Sequence, residues 1–347
     1  MKLSYQGAGV DIAAADRAKE AMAAWVARGD ERVLNRLGAF ASLFEARFPG
    51  YSEPVLVLKT EEPGSKQKLA LQHGRVASLC QDLIHHLVND VAVMGGSPLS
   101  VQDAIICGRL EPAVVTAMVQ ALSEACRAQD CTLTGGETSE QPGVLEPGTY
   151  ILTASVVAVA EKSQVIDGSR LAVGDRVLAL PSSGLHTNGY SLVRKLLERD
   201  PALATRDVAG EPFLEAVLRP HRCYFQALRG LFPGGRLHGL AHITGGGLEG
   251  NVRRIVPRGL QVRLDLERLR VLPVFRAVRD AAGADDAEML HAFNLGAGMV
   301  AMAAPEDVQS VRAHLASAGC DSYEFGVVAA AGEGAEPVVF EGALAWS

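Results

Sequence analysis

A polar, turn-rich stretch, EKSQVIDGSRLAVGDR (Glu161–Arg176), stands between two apolar runs, ILTASVVAVA (Ile151–Ala160) and VLAL (Val177–Leu180). On both sides of it, short β-type runs alternate with longer segments of helical period. That alternation predicts an α/β or α+β class, because each sheet needs helices to cover it. The 347 residues are too many for one ordinary core. The interruption therefore predicts two domains, residues 1–165 and 166–347.

In the first half, Ile12–Ala27, Arg75–Met94 and Pro112–Ala128 carry helical periods, and Val55–Leu58, Val101–Cys107 and Tyr150–Ala160 read as strands. In the second half, Ser191–Glu198, Glu211–Leu231 and Glu306–Ala318 read as helices. Val177–Leu180, Leu237–His242, Gln261–Leu266, Met299–Ala303 and Phe325–Ala330 read as strands. Each half has a strand running into Thr-Gly-Gly, TLTGGE (Thr132–Glu137) and HITGGG (His242–Gly247), a weak trace of two similar domains.

Apolar residues make up 48% and charged residues 21%, a soluble globular balance. The net charge of −7, with no long run of like charge, argues against nucleic acid or an anionic membrane as main partner. No apolar run is long enough to span a bilayer, and the N-terminus lacks the apolar region of a signal peptide. The six scattered cysteines form no metal spacing and read as small buried hydrophobes. A reducing cytoplasm is the expected home.

The chemistry-bearing residues sit at strand ends and on one helix. The turn TEEPGSKQKL (Thr60–Leu69) follows a strand and holds Gly64, Ser65 and Lys66, a phosphate-binding composition, beside two carboxylates, Glu61 and Glu62. A metal ion between the signs would explain the mixture, and so would a charged surface loop. On the helix Arg75–Met94, Asp82, His85, His86 and Asn89 fall on the face opposite the apolar stripe, where solvent is the plain reading. Asp90 sits near the helix C-terminus, where the dipole disfavours an anion, so a cation partner is expected, Mg²⁺ or a lysine. Gly135 and Gly136 with Glu137, Ser183 and Gly184 with Asn188, and Thr244 with Gly245, Gly246 and Gly247 form further glycine-rich turns. His242 stands at a strand end beside the last of them. Four such turns suit a nucleotide and a phosphorylated substrate together.

The segments LSYQGAGVDI (Leu3–Ile12), LGAFASLF (Leu37–Phe44), HLVNDVAVMGGSPL (His86–Leu99), GGETSEQPG (Gly135–Gly143), EKSQVIDGSRL (Glu161–Leu171), SSGLHTNGYSLVRK (Ser182–Lys195), AHITGGGLEGNVRR (Ala241–Arg254) and FNLGAGM (Phe293–Met299) carry a family resemblance. In order and spacing the chain resembles the phosphoribosylformylglycinamidine cyclo-ligase (aminoimidazole ribonucleotide synthetase) family over nearly its whole length. The resemblance implies two α/β domains, with N-terminal domains pairing into a barrel across a homodimer. It implies ATP-dependent closure of formylglycinamidine ribonucleotide to aminoimidazole ribonucleotide, with Mg²⁺ and no nucleic acid or membrane partner. The site residues it implies are Glu61, Asp90 and Asp82 for metal, and Lys66 with Thr60, Gly64 and Ser65 for phosphate. Gly135, Gly136, Glu137, Asn188 and Thr244 would bind ATP or substrate. Ser183, Gly184, Gly245, Gly246 and Gly247 would cradle the substrate phosphate, and His242 would be the general base, with Lys66 the other catalytic residue.

The opening turn departs from the family's TDGVGTKL. Glu61 stands for its aspartate, one methylene longer, Glu62 for a glycine, and Pro63 for the valine. Glu62 does not take the positive φ open to glycine, and Pro63 restricts it further, so the turn needs a different backbone. Two rivals follow: another ATP-using enzyme of the superfamily, such as a small-molecule kinase or selenophosphate synthetase, and a non-catalytic nucleotide-binding dimer. The absence of an acidic pair between Leu37 and Phe44 counts against the first.

Overall fold

A computed structural model describes residues 12–26, 30–35 and 39–346. The opening motif before Ile12, the expected helix end at Ala27, and Leu37 and Gly38 lie outside the described residues. Two compact units emerge: residues 1–91 with 98–159, and residues 92–97 with 160–347. The chain enters the second unit at Ala160, the last residue of the apolar run before Glu161, and also visits it briefly after the long helix.

In the first unit, helix α1 (Ile12–Met22) precedes strand β1 (Pro54–Glu61), helices α2 (Lys66–Gln72) and α3 (Val76–Ala92), and strand β2 (Ser97–Cys107). Helix α4 (Pro112–Arg127) and strands β3 (Thr132–Glu140) and β4 (Tyr150–Glu161) complete it. The sheet order is β1-β4-β2-β3. Burial alternates along β2 and β4, so Val101, Asp103, Ile105, Leu152, Ala154 and Val156 point inward. The other face is partly covered by residues 42–48 and most exposed at edge strand β1, where Leu56 and Leu58 are 57% and 69% exposed.

Two expectations change here. The polar face expected on α3 is largely covered, since Asp82, His86 and Asn89 are buried along with the apolar stripe and His85 is half-buried; the solvent side is the Ala77–Gln81 stripe. The glycine turn expected at Gly135 and Gly136 is a strand, because β3 runs straight through both, parallel to β2. Space explains the glycines: a Cβ on Gly136 would lie 2.3 Å from Asp103 Oδ1 on the neighbouring strand.

The second unit begins with strand β5 (Arg176–Pro181) and helix α5 (Tyr190–Arg199). A two-residue hairpin, β6 (Asp207–Val208) with β7 (Glu211–Pro212), leads into helices α6 (Phe213–Leu218) and α7 (Phe225–Leu228), then strand β8 (Gly239–His242) and helix α8 (Gly247–Val252). Strand β9 (Leu260–Asp265), helices α9 (Pro273–Ala282) and α10 (Asp286–Ala292), strand β10 (Ala297–Ala303), helix α11 (Val308–Ser317), and strands β11 (Tyr323–Ala330) and β12 (Val338–Glu341) finish it. The mixed sheet runs β12-β9-β11-β5-β10-β8. Strand β10 is buried at every position, as its unbroken apolar sequence AGMVAMA requires. The single helix expected over Glu211–Leu231 is broken. Pro220 lacks an N–H and forces Arg219 out of the helical region (ψ 138°), so the chain turns between α6 and α7. Among the described residues, no helix is long and apolar enough to cross a membrane.

Candidate functional site

Strand β1 delivers Lys59 and Glu61 to the inward face, and α3 presents His86 and Asp90, one turn apart, to the same place. The Lys59 ammonium lies 2.7 Å from Glu61 Oε1 and 3.1 Å from Asp90 Oδ2. His86 Nε2 is 3.8 Å from that Glu61 oxygen and 3.7 Å from that Asp90 oxygen. The two expected metal ligands thus converge, and the cation Asp90 required is present as a lysine. Burial works against the charge on Lys59, but hydrogen bonds to Glu61 and the attraction of Asp90 outweigh it and raise its pKa.

Lys66 and Asp82, expected at phosphate and at metal, are found on each other. Both are fully buried, with Nζ 2.7 Å from Asp82 Oδ2 and 2.9 Å from Oδ1. Burial pulls the Lys66 pKa down against the attraction of Asp82. The pair ties the start of α2 to the middle of α3. Between it and β1 the turn takes its positive φ at Gly64 (60°), while Glu62 is an exposed residue with no positive φ. Thr60 Oγ1 lies 2.7 Å from Ser155 Oγ on β4. Glu137 is exposed on β3.

In the second unit, three loops meet at one edge of the sheet. Strands β5 and β8 both end there and β10, antiparallel to each, begins there, with Pro181 opposite Ala297 and His242 opposite Met299. The TGGG turn is braced by Asn251, whose Nδ2 donates to the carbonyls of Thr244, Gly245 and Gly247 at 3.3, 3.2 and 2.8 Å. Gly247 is obligatory: its φ is 61°, and a Cβ there would fall 1.8 Å from Leu290 O. The loop after β5 is braced by Asn294, which accepts from Ser182 Oγ (2.9 Å) and donates to Gly184 O (3.0 Å). Ser183 donates its hydroxyl to Pro220 O at 2.6 Å and its amide to His186 Nε2 at 3.3 Å, so it holds this loop in place. Asn188 approaches Gly245: a Cβ on that glycine would be 3.4 Å from Asn188 Oδ1. The Asn188 Nδ2 is buried with no hydrogen-bond partner among the described residues. His242 is buried, and its Nε2 is 2.9 Å from His221 Nε2.

Lys59, His186, His221, Asn251 and Asn294 were not assigned roles from the sequence. Asp90 gave half of the signal for Lys59, by demanding a cation. Pro220 signalled that His221 leaves the helix. The two asparagines act through backbone carbonyls, which leave no mark in a composition.

Family models of the AIR synthase related protein match this chain in both halves, the N-terminal domain over residues 51–160 and the C-terminal domain over residues 172–338. A phosphoribosylformylglycinamidine cyclo-ligase of Aromatoleum aromaticum is 40% identical over 336 residues, covering 96% of both chains. One of Desulfitobacterium hafniense is 38% identical over 335 residues, covering 96% of this chain and 99% of the relative. Among solved structures, the thiamine-monophosphate kinase of Stenotrophomonas maltophilia superposes with a TM-score of 0.64 at 17% identity, covering 97% of this chain and 98% of the other. A hydrogenase maturation protein HypE in complex with ATP does so with 0.62 at 18%, covering 90% and 87%. At such identities these structures speak for the fold alone.

Proposed function

The chain belongs to the AIR synthase related family, and from that membership we propose that it is an ATP-dependent cyclo-ligase that closes formylglycinamidine ribonucleotide to aminoimidazole ribonucleotide. The observation that carries this reading is identity near 40% to cyclo-ligases across 96% of both chains, because both units are then under the same comparison. ATP would supply a phosphoryl group to the formyl amide oxygen and so make it a leaving group. The ribosyl nitrogen would then attack the formyl carbon, phosphate would depart, and the nitrogen's proton would go to His242. The braced turn of Thr244, Gly245, Gly246 and Gly247, with Gly184, is suited to the substrate phosphate, and the Asn188 amide to a substrate oxygen. Thr60, Gly64 and Ser65 would line the nucleotide side of the first unit's turn, with Gly135, Gly136 and Glu137 contributing from β3, at the other edge of the same sheet.

Glu61 and Asp90 offer the hard oxygen donors that Mg²⁺ takes. Both share Lys59, so a metal would be held there only in exchange for its ammonium. Lys66 and Asp82, engaged with each other, are assigned to holding the turn on α3. The exposed apolar face of β1, carrying Leu56 and Leu58, supports pairing of two chains through the first unit.

The test is turnover of formylglycinamidine ribonucleotide with ATP and varied Mg²⁺. His242→Ala should lower the rate by roughly 10²–10⁴-fold while ATP still raises its melting temperature. Lys59→Met should lower the Mg²⁺ concentration needed for half-maximal rate. Absence of turnover in the wild-type protein refutes the cyclo-ligase reading. An unchanged Mg²⁺ dependence in Lys59→Met refutes the exchange.

A further inference from the structure

His186, His221 and His242 come from three different elements of the second unit: the loop after β5, the break after Pro220, and the last residue of β8. All three side chains are buried, and one ring nitrogen from each lies within 4.8 Å of the other two. The His186 and His221 rings stack with centroids 3.9 Å apart and planes 19° from parallel. His242 meets His221 through the 2.9 Å contact between Nε2 atoms. Room for this group is built in at Gly298, where a Cβ would lie 2.5 Å from His186 Cε1 and 2.2 Å from Tyr224 Oη. The Ser183 amide fixes the His186 ring through Nε2 at 3.3 Å.

We propose that His186, His221 and His242 form a binding site for a divalent transition metal of the Zn²⁺ or Co²⁺ type. Three imidazoles are a recurrent zinc set that leaves a fourth position for water. Neutral nitrogen donors select these ions over Mg²⁺ or Ca²⁺, which take oxygen. The geometry is within reach. Ligand nitrogens around a tetrahedral zinc stand about 3.3 Å apart, given Zn–N bonds of about 2.0–2.1 Å, so the widest separation closes by roughly 1.5 Å through side-chain rotation. The proton balance is simple. In the metal-free protein one of the two facing Nε2 atoms carries the hydrogen and the other accepts it. On binding, that hydrogen moves to Nδ1 of its own ring, both Nε2 lone pairs turn to the metal, and His186, whose Nε2 lone pair accepts from the Ser183 amide in the metal-free protein, exchanges that amide for the metal, so no proton leaves the site.

This inference stands on the second unit alone and competes with the base role of His242, because an imidazole with metal on Nε2 and hydrogen on Nδ1 has no lone pair left for a proton; the metal-loaded protein should therefore turn over more slowly than the metal-free one. The test uses the full chain without an affinity tag, dialysed against chelator and titrated with Co²⁺, following the visible absorption of the bound ion. One equivalent should bind and be displaced by Zn²⁺, and Zn²⁺ should raise the melting temperature reversibly. His221→Asn and His186→Asn should each weaken Co²⁺ binding by roughly tenfold or more, with the metal-free melting temperatures reporting their folding. Two results would overturn the proposal. One is a wild-type protein that gives neither a stoichiometric band nor a zinc-dependent rise in melting temperature. The other is a band that persists unchanged in either folded variant.

Discussion

Asp103 shows what one residue's surroundings do to its chemistry. It sits on the inward face of β2, and burial pushes its carboxyl up to about 7. The consequence for stability has a definite sign. Below pH about 4 the group is protonated whether the chain is folded or not. As pH rises towards 7 only the unfolded chain ionises freely, so stability falls across that window and levels off above it. The full effect is at most on the order of 4 kcal/mol, three pKa units at about 1.4 kcal/mol each. Asp103→Asn should abolish the slope, matching the wild type at pH 4 and exceeding it at pH 8 in urea unfolding. A variant less stable than wild type at pH 8 would mean that the ionised carboxylate has a cationic partner instead. The same residue explains why Gly136 is a glycine, a link invisible along the sequence because the two residues belong to adjacent strands.

The turn from β1 through α2 to α3 is held by an ion pair that no water reaches. Lys66→Met leaves the Asp82 carboxylate buried without its cation and should cost about 3–5 kcal/mol, whereas Lys66→Met with Asp82→Leu should recover most of it. Urea unfolding at neutral pH reads both. A loss below about 1 kcal/mol in the single variant, the range of an exposed pair, would refute the buried pair. At this scale the sequence was a good guide where one principle dominated. Apolar periodicity located α3 and α4, and unbroken apolar runs located β5 and β10. It misled where two principles competed. Glu211–Leu231 has a helical pattern, but Pro220 overrides it. Gly135 and Gly136 have turn composition, but the pairing of β3 with β2 overrides that. The polar face of α3 resembled a solvated one because its partners, Lys59 on β1 and Lys66 on α2, lie 31 and 16 residues before Asp90 and Asp82 in the chain. Of the candidate site, the TGGG turn, Asn188 and the Glu61–Asp90 convergence were legible in outline. The identity of the cation between those two carboxylates was not.

For the whole molecule, the exposed face of edge strand β1 makes a direct claim. Light scattering should give twice the monomer mass at micromolar concentration. Leu56→Asp with Leu58→Asp should give the monomer mass with an unchanged far-UV spectrum. A monomeric wild type would remove the support for pairing through this face. The connection of the two units has a different consequence. The chain passes between them after Val91, after Ser97 and after Val159. In the short excursion, the Met94 carbonyl accepts from the Ile166 amide at 3.3 Å. Gly95, at φ 76°, leaves only 3.1 Å between a would-be Cβ and Gln164 O. A gene divided after Val159 would deliver the second half without the six residues Ala92–Ser97 that belong to it, and one divided after Val91 would deliver it with most of the first unit's sheet attached. Hybrids made by one crossover between distant relatives would therefore carry a mismatched patch inside the second half. Such hybrids should melt at lower temperature than either parent, and restoring the second parent's residues at positions 92–97 should recover the loss.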